Sequence, residues 1–192
     1  MYPEKLRFIY QYPSMSHEDL DQIVAQHEKV VFKKGELLLR EGQVSDCYYI
    51  LEEGIVRSFV YDYDGNDIST NFFCTDDLVI EVASIFHHIP TKENFCCLTD
   101  CTLWRIKFDD FQGLFETIPA ITEWGRAWMA HQLFLTKKRT LDMVSLAAIV
   151  RYQQLLEEKP QILQQAPLKY IATYLGITDT SLSRIRKELV GK

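Results

Sequence analysis

The sequence predicts a mainly β N-terminal unit, then one long helix, then a small all-α unit at the C-terminus. Three observations predict it. From Glu28 to about Lys107 the chain is written in short β-branched and aromatic runs separated by turns. Residues 120–143 carry large residues at three- and four-residue spacing. Residues 168–189 hold two short amphipathic segments around a glycine. At 192 residues and 47% hydrophobic content the chain can bury a sizeable core. It divides at 1–118, 119–143 and 144–192.

The first element is a short helix. Ser16 is a cap, Glu18 and Asp19 suit a first turn, and Leu20, Ile23 and Val24 supply the apolar face. The β region follows in VVFKKGELLLREGQ, CYYILEEGIVRSFVYDYDGNDISTNFF and NFCCLTDCTLWRIKF, with turns at 33–35, 41–43, 52–54, 62–66 and 98–100. Strands of four to seven residues between such turns predict a barrel or sandwich. YDYDGNDI is the strongest hairpin signal, because Gly and Asn tolerate positive φ.

Asp109 or Asp110 is expected to cap the next helix, with Phe111, Leu114 and Phe115 on one face. Pro119 suits a first helical turn or a kink. In the long helix Ile121, Trp124, Trp128, Gln132, Leu135 and Arg139 recur along one stripe. Such a stripe either packs on the β unit or forms a subunit interface. Two tryptophans on a helix that joins both halves favour the interface, at Ile121, Trp124, Trp128 and Leu135. A further helix over 145–163 ends before Pro160, with Leu146, Ile149, Val150, Gln153 and Leu156 or Glu157 as its repeat.

The last unit is the most informative. Leu168, Ile171, Ala172 and Leu175 form one face, and Gly176 ends the helix in the αL position. Ile177 is a buried turn residue, and Thr178 caps a helix whose apolar face is Leu182, Ile185 and Leu189. The opposite face carries Asp179, Thr180, Ser181, Ser183, Arg184 and Lys187, flanked by Arg186. Short hydroxyls at the start and cations further along suit a DNA major groove.

Charge agrees with that placement. The net charge of −6 divides into 11 basic and 22 acidic residues over 1–136, and 10 basic and 5 acidic over 137–192. An acidic body argues against indiscriminate polyanion binding, while a basic end suits a site-limited nucleic-acid contact.

The segments IATYLGIT and LSRIRKEL closely resemble the helix-turn-helix of the Crp–Fnr family of bacterial transcription regulators, in the version common in Bacteroidetes. VVFKKGELLLREGQVSDCYYILEEGIVRSF resembles that family's opening strands, with Gly35, Glu41, Gly42 and Gly54 at its turns. The resemblance covers essentially the whole chain. It implies a cyclic-nucleotide-binding-like jelly-roll sensor, a dimerisation helix and a C-terminal helix-turn-helix domain. It also implies double-stranded DNA and a second copy of the chain as partners, with RNA polymerase and an unidentified small-molecule effector as further candidates. The implied DNA-contacting residues are Thr178, Thr180, Ser181, Ser183, Arg184, Arg186 and Lys187, with Arg184 on a base edge and Lys187 on phosphate. The family's base-contacting Arg near the start of this helix has no match at Asp179, Thr180 and Ser181. Only Val190, Gly191 and Lys192 follow Leu189, so the β-hairpin wing of many members is doubtful here: either it is absent, or these residues stop short of it.

The sensor departs from the resemblance. The cassette DDLVIEVASIFHHIPTKENFCC, residues 76–97, matches the family's Glu-Leu at Glu81 and Val82. Its Arg-Ser-Ala position reads Glu93, Asn94 and Phe95, preceded by Lys92. A cyclic phosphate needs an Arg fork or free N–H groups, and Glu93 repels it. Cyclic AMP and cyclic GMP are therefore not expected as ligands. Another small effector stays open, with Glu81, Val82, Lys92 and Asn94 as pocket candidates, and a collapsed or ligand-free pocket is the favoured alternative.

No metal or cofactor is expected. Cys47, Cys74, Cys96, Cys97 and Cys101 form no CxxC pair and suit buried thiols. His87 and His88, even with Cys96 or Cys97, suit a surface loop better than a ligand set. Without a cysteine cluster ahead of the barrel, an iron–sulfur sensor is not expected. No nucleophile motif, P-loop or paired acid/base signature points to an enzyme. No apolar run approaches the ~20 residues of a membrane span, and the N-terminus lacks a secretory pattern, so the cytoplasm is the expected compartment. The competing reading is a degenerate sensor acting through protein partners without binding DNA.

Overall fold

The computed structural model describes residues 2–190. Gly191 and Lys192, on which part of the wing expectation rests, lie outside the described residues.

Two helices come first, α1 (Tyr2–Tyr10) and α2 (His17–Ala25). Ser16 caps α2 in a capping box. Its hydroxyl accepts from the Asp19 N–H at 3.1 Å, and the Asp19 carboxylate accepts from the Ser16 N–H at 2.8 Å.

Eight strands then build two four-stranded antiparallel sheets. They are β1 (Glu28–Phe32), β2 (Leu37–Leu39), β3 (Cys47–Glu53), β4 (Val56–Tyr61), β5 (Asp67–Phe73), β6 (Leu78–Val79), β7 (Asn94–Cys97) and β8 (Cys101–Lys107). One sheet has the order β1-β8-β3-β6 and the other β2-β7-β4-β5. Tyr49, Leu51 and Leu103 of the first sheet meet Val56, Phe73, Phe95 and Cys97 of the second in a shared core. The β4–β5 hairpin turns at Asp62–Asn66, where the Asp62 carboxylate accepts from the Asn66 N–H at 2.8 Å. Gly54, between β3 and β4, is required there: at φ +107 an added Cβ would lie 2.6 Å from the Asp100 carbonyl oxygen.

A short helix, α3 (Val82–His87), interrupts the strands, and α4 (Phe108–Thr117) continues directly from β8. Neither Asp109 nor Asp110 caps α4. Lys107 occupies the cap position without a side-chain bond, because the strand runs straight into the helix. The two aspartates sit instead in the first turn, where they complement the helix dipole.

The long helix α5 (Pro119–Ser145) opens on its proline. Ile121 and Trp124 point into the chain's own core, not outward. They join Leu6, Tyr10, Tyr48, Phe111 and Leu114, and the Trp124 indole N–H donates to the Ile9 carbonyl at 2.9 Å. Trp128 is half-buried against the same cluster. The predicted stripe therefore begins as a core stripe, because α1 and α4 cover it. Leu135, further along, is exposed.

Beyond α5 lie α6 (Ala148–Glu158), α7 (Pro160–Gln165), α8 (Leu168–Tyr174) and α9 (Asp179–Val190). The buried face of α6 is Tyr152 and Leu155, while Val150 and Leu156 are exposed. The expected repeat is out of phase: Tyr152 and Leu155 join the buried cluster that holds Ile55, Phe72, Cys74 and Leu98. Ile171, Ala172 and Leu175 of α8 and Leu182 and Ile185 of α9 complete that second core. Gly176 adopts φ +65 between α8 and α9. Ile177 is half-buried in that turn, not fully buried. Among the described residues no helix is long and apolar enough to cross a membrane.

Candidate functional site: the sensor cavity and the C-terminal helix pair

A cavity of about 430 Å³ opens between the two sheets. Leu38, Leu39, Tyr49, Val79 and Phe95 supply its apolar wall, and the loop Gln43–Asp46 forms its mouth. Cys47, Glu81 and Arg105 complete the lining. The pocket is therefore not collapsed. β2 and β7 hold one wall and β3 and β6 the other, and the loop that precedes β3 spans the gap.

Several polar groups at this cavity are already engaged. The Glu81 carboxylate caps α3 by accepting from the Ser84 N–H. The Ser84 hydroxyl donates to the Ile89 carbonyl at 2.7 Å and accepts from the Ser45 N–H at 2.9 Å. Arg105 is held by Glu28, whose hydrogen bond raises the guanidinium above its ordinary value. Burial pushes the Cys47 thiol up to about 11, so it stays protonated. Glu93, which is not on the lining, has its carboxyl raised by burial despite a hydrogen bond from Thr70. The lining thus carries two carboxylates, Asp46 and Glu81, and one guanidinium, Arg105, which already pairs with Glu28.

Of the four expected pocket residues, Glu81 lines the cavity. Val82 is half-buried in α3 and Lys92 is exposed, and neither is on the lining. Asn94 is buried, with its side-chain oxygen accepting from the Glu41 N–H at 3.0 Å. Strand alternation could have found Tyr49, Val79 and Phe95, but nothing local marks Arg105. His87 and His88 are exposed, and among the described residues no group of three His, Cys, Asp or Glu side chains converges as for a metal ion. All five cysteines are free thiols.

At the other end, Thr178 caps α9 by accepting from the Ser181 N–H at 3.2 Å, while its hydroxyl donates to the Ser181 hydroxyl at 3.0 Å. With Leu182 and Ile185 buried, Thr180, Ser183, Arg184 and Lys187 are exposed at i, i+3, i+4 and i+7, one continuous face. Arg186 is exposed about 100° around the helix from that face. Arg184, Arg186 and Lys187 make no salt bridge to the described residues.

The C-terminal helices are clamped from two sides. Arg139 of α5 donates to the Tyr174 carbonyl at 3.1 Å, and Arg151 of α6 donates to the Leu175 carbonyl at 2.9 Å, so two cations close the end of α8. On the sensor side Arg57, 2% exposed, forks onto Asp67 and donates to the Ser69 hydroxyl at 2.8 Å. Burial pulls Arg57 down to about 10, so it remains charged at neutral pH. No local pattern marked Arg57, whose burial depends on the distant Tyr170.

These features define a cyclic-nucleotide-binding fold carrying a C-terminal helical unit. Residues 29–118 match the family model described as cyclic nucleotide-binding domain. A curated relative, the cAMP-dependent protein kinase regulatory subunit of Eremothecium gossypii, is 23% identical over an alignment of 129 residues that covers 58% of this chain. The chain spans only 27% of that relative's length. Among solved structures, FixK2 from Bradyrhizobium japonicum superposes with a TM-score of 0.74 at 19% identity, covering 86% of this chain and 85% of that one. The c-di-GMP responsive global regulator CLP of Xanthomonas campestris gives 0.70 at 17% identity, covering 92% of each chain. These neighbours are Crp/Fnr-family transcription regulators, and at these identities the likeness is one of fold.

Proposed function

We propose that this protein is a dimeric, cytoplasmic, DNA-binding transcription regulator of the Crp–Fnr type that does not respond to cyclic AMP. The observation that carries this reading is the face Thr180, Ser183, Arg184 and Lys187, exposed on a capped helix of an otherwise acidic protein. In this reading α8 and α9 are a helix-turn-helix. Arg184 reads a base edge, Thr180 and Ser183 contact bases or phosphates, and Lys187 neutralises phosphate. Arg186, off that face, serves a flanking phosphate. Thr178 and Ser181 act chiefly as the cap that sets the helix start.

The outward face of α5 supports dimerisation. Met129, Leu133, Phe134, Leu141 and Val144 are exposed, Leu133 at 71% and Val144 at 82%. A second copy would cover this apolar stripe and place two reading helices about 34–36 Å apart on a pseudo-palindromic site. The sensor cavity favours an uncharged or cationic effector over a nucleotide, given Asp46, Glu81 and the engaged Arg105.

Selection from a random duplex pool tests the reading, with wild type beside Arg184→Ala. A two-fold symmetric motif that the variant loses or relaxes is the expected result. No enrichment at low salt would overturn it in favour of a sensor that acts through protein partners.

A further inference from the structure

The wall of the cavity and the seat of the C-terminal helices meet on one short stretch of chain. After β5 the chain turns through Cys74–Asp77 into β6 and reaches Glu81. Val79 and Glu81 line the cavity. Asp77, two residues before Val79, is gripped from the other side. Its carboxylate accepts from Lys159 Nζ at 2.6 Å and from the Cys74 N–H at 2.8 Å. The same ammonium donates to the Phe72 carbonyl at 3.0 Å. Burial pulls Lys159 down, but the Asp77 carboxylate overrides it and the net shift is upward, so the pair stays ionic.

The stretch is stiff. Asp76 has a φ of 72°, and its N–H donates to the Leu51 carbonyl at 2.7 Å. The Asp77 carbonyl accepts from the Leu51 N–H at 3.1 Å, and Leu78 and Val79 pair with Ile50 and Tyr49. A displacement at Val79 therefore has roughly 7 Å of extended, hydrogen-bonded chain to cross before it reaches Asp77. On the far side Lys159 is the break between α6 and α7, closing one helix and opening the next. Moving it tilts both.

We propose that residues 74–81 form a transmission arm, by which filling the cavity displaces Asp77 and, through Lys159, shifts α6 and α7 and the seat of α8. The arm operates within one protomer and does not require rotation of α5. It rests on the reading above only in naming α9 as the element whose placement matters.

The test uses the full chain without DNA. Leu39→Phe and Val79→Phe fill the cavity from opposite walls, and amide hydrogen exchange is followed over 160–174, with and without Lys159→Met. Each filling variant should change exchange there by at least about fivefold, and Lys159→Met should abolish the change. No change in the Lys159 background, or an equal change without Lys159, overturns the arm. If neither filling variant folds, reciprocity decides: Lys159→Met alone must alter exchange at 78–81, and unchanged exchange there overturns it. Because exchange is read without DNA, a failure of DNA binding would sink the regulator reading and leave this result standing.

Discussion

The guanidinium carbon of Arg57 lies 3.7 Å from the ring centre of Tyr170, so a β4 residue of the sensor stacks beneath a side chain of α8. The Phe59 ring lies 4.5 Å from the same carbon. Ser69 extends the contact. Its hydroxyl donates to the Tyr170 carbonyl at 2.8 Å, and its N–H donates to the Thr173 hydroxyl at 3.1 Å. Arg57→Leu should therefore cost about 3 kcal/mol by urea unfolding, because Asp67 is left without its partner. Arg57→Lys should recover little, since an ammonium cannot fork onto Asp67 and stack on Tyr170 together. Full recovery by lysine would show that charge alone matters here.

The buried chain Tyr48–Tyr10–His27 gives the fold an acid limit. His27 Nδ1 lies 2.9 Å from the Ile23 carbonyl and must donate to it. Nε2 then accepts from the Tyr10 hydroxyl at 3.0 Å, and Tyr10 accepts from Tyr48 at 2.8 Å. Burial lowers the His27 pKa to about 4, outweighing the bond to Ile23, so folding favours the neutral ring. The contribution is intact above about 6.5 and is lost as pH falls from there through about 4, on the order of 3 kcal/mol. Stability measured from pH 7 to 4.5 should fall faster in wild type than in His27→Gln. Parallel curves would contradict the assignment.

The two faces of α5 should separate in solution. Leu133→Asp should give folded monomers by sedimentation, with the melting transition shifted only by the loss of the partner. Trp124→Ala should instead destabilise the protomer itself by about 3–5 kcal/mol. A dimer that survives Leu133→Asp would place the interface elsewhere.

On DNA, Arg184→Ala should cost about 1–3 kcal/mol and relax preference at one base pair per half-site. Lys187→Ala should weaken all sequences alike and lower the salt slope by about 1 per protomer. Gel-shift titrations at two salt concentrations separate these outcomes.

The turn chemistry of this fold was legible from sequence. Ser16 with Asp19, the Asp62–Asn66 hairpin, Pro119 at a helix start and Thr178 at a cap each act within a few residues, and each stands where local rules put it. The exposed face of α9 was legible for the same reason. Long-range burial was not. Helical spacing marks Ile121 and Trp124 as one stripe, but cannot say whether the chain's own barrel or a second copy covers it. Arg57 carries no local sign of burial, because its partners Asp67, Ser69 and Tyr170 come from a neighbouring strand and a helix far along the chain. The cavity wall is likewise assembled from five strands, so a cassette read alone found Glu81 and missed Tyr49 and Arg105.

The position of β5 has one further consequence. It is the last strand of its sheet, and α8 lies along it, with Thr173 taking up the N–H of Ser69. Remove the last helices, and that N–H and the flank of Phe72 become a bare strand margin, a template for pairing with another chain. The C-terminal unit thus also acts as a guard against aggregation. A fragment ending after α5 should clump at concentrations where the full chain stays dispersed, so a sensor half prepared alone would misrepresent the intact protein.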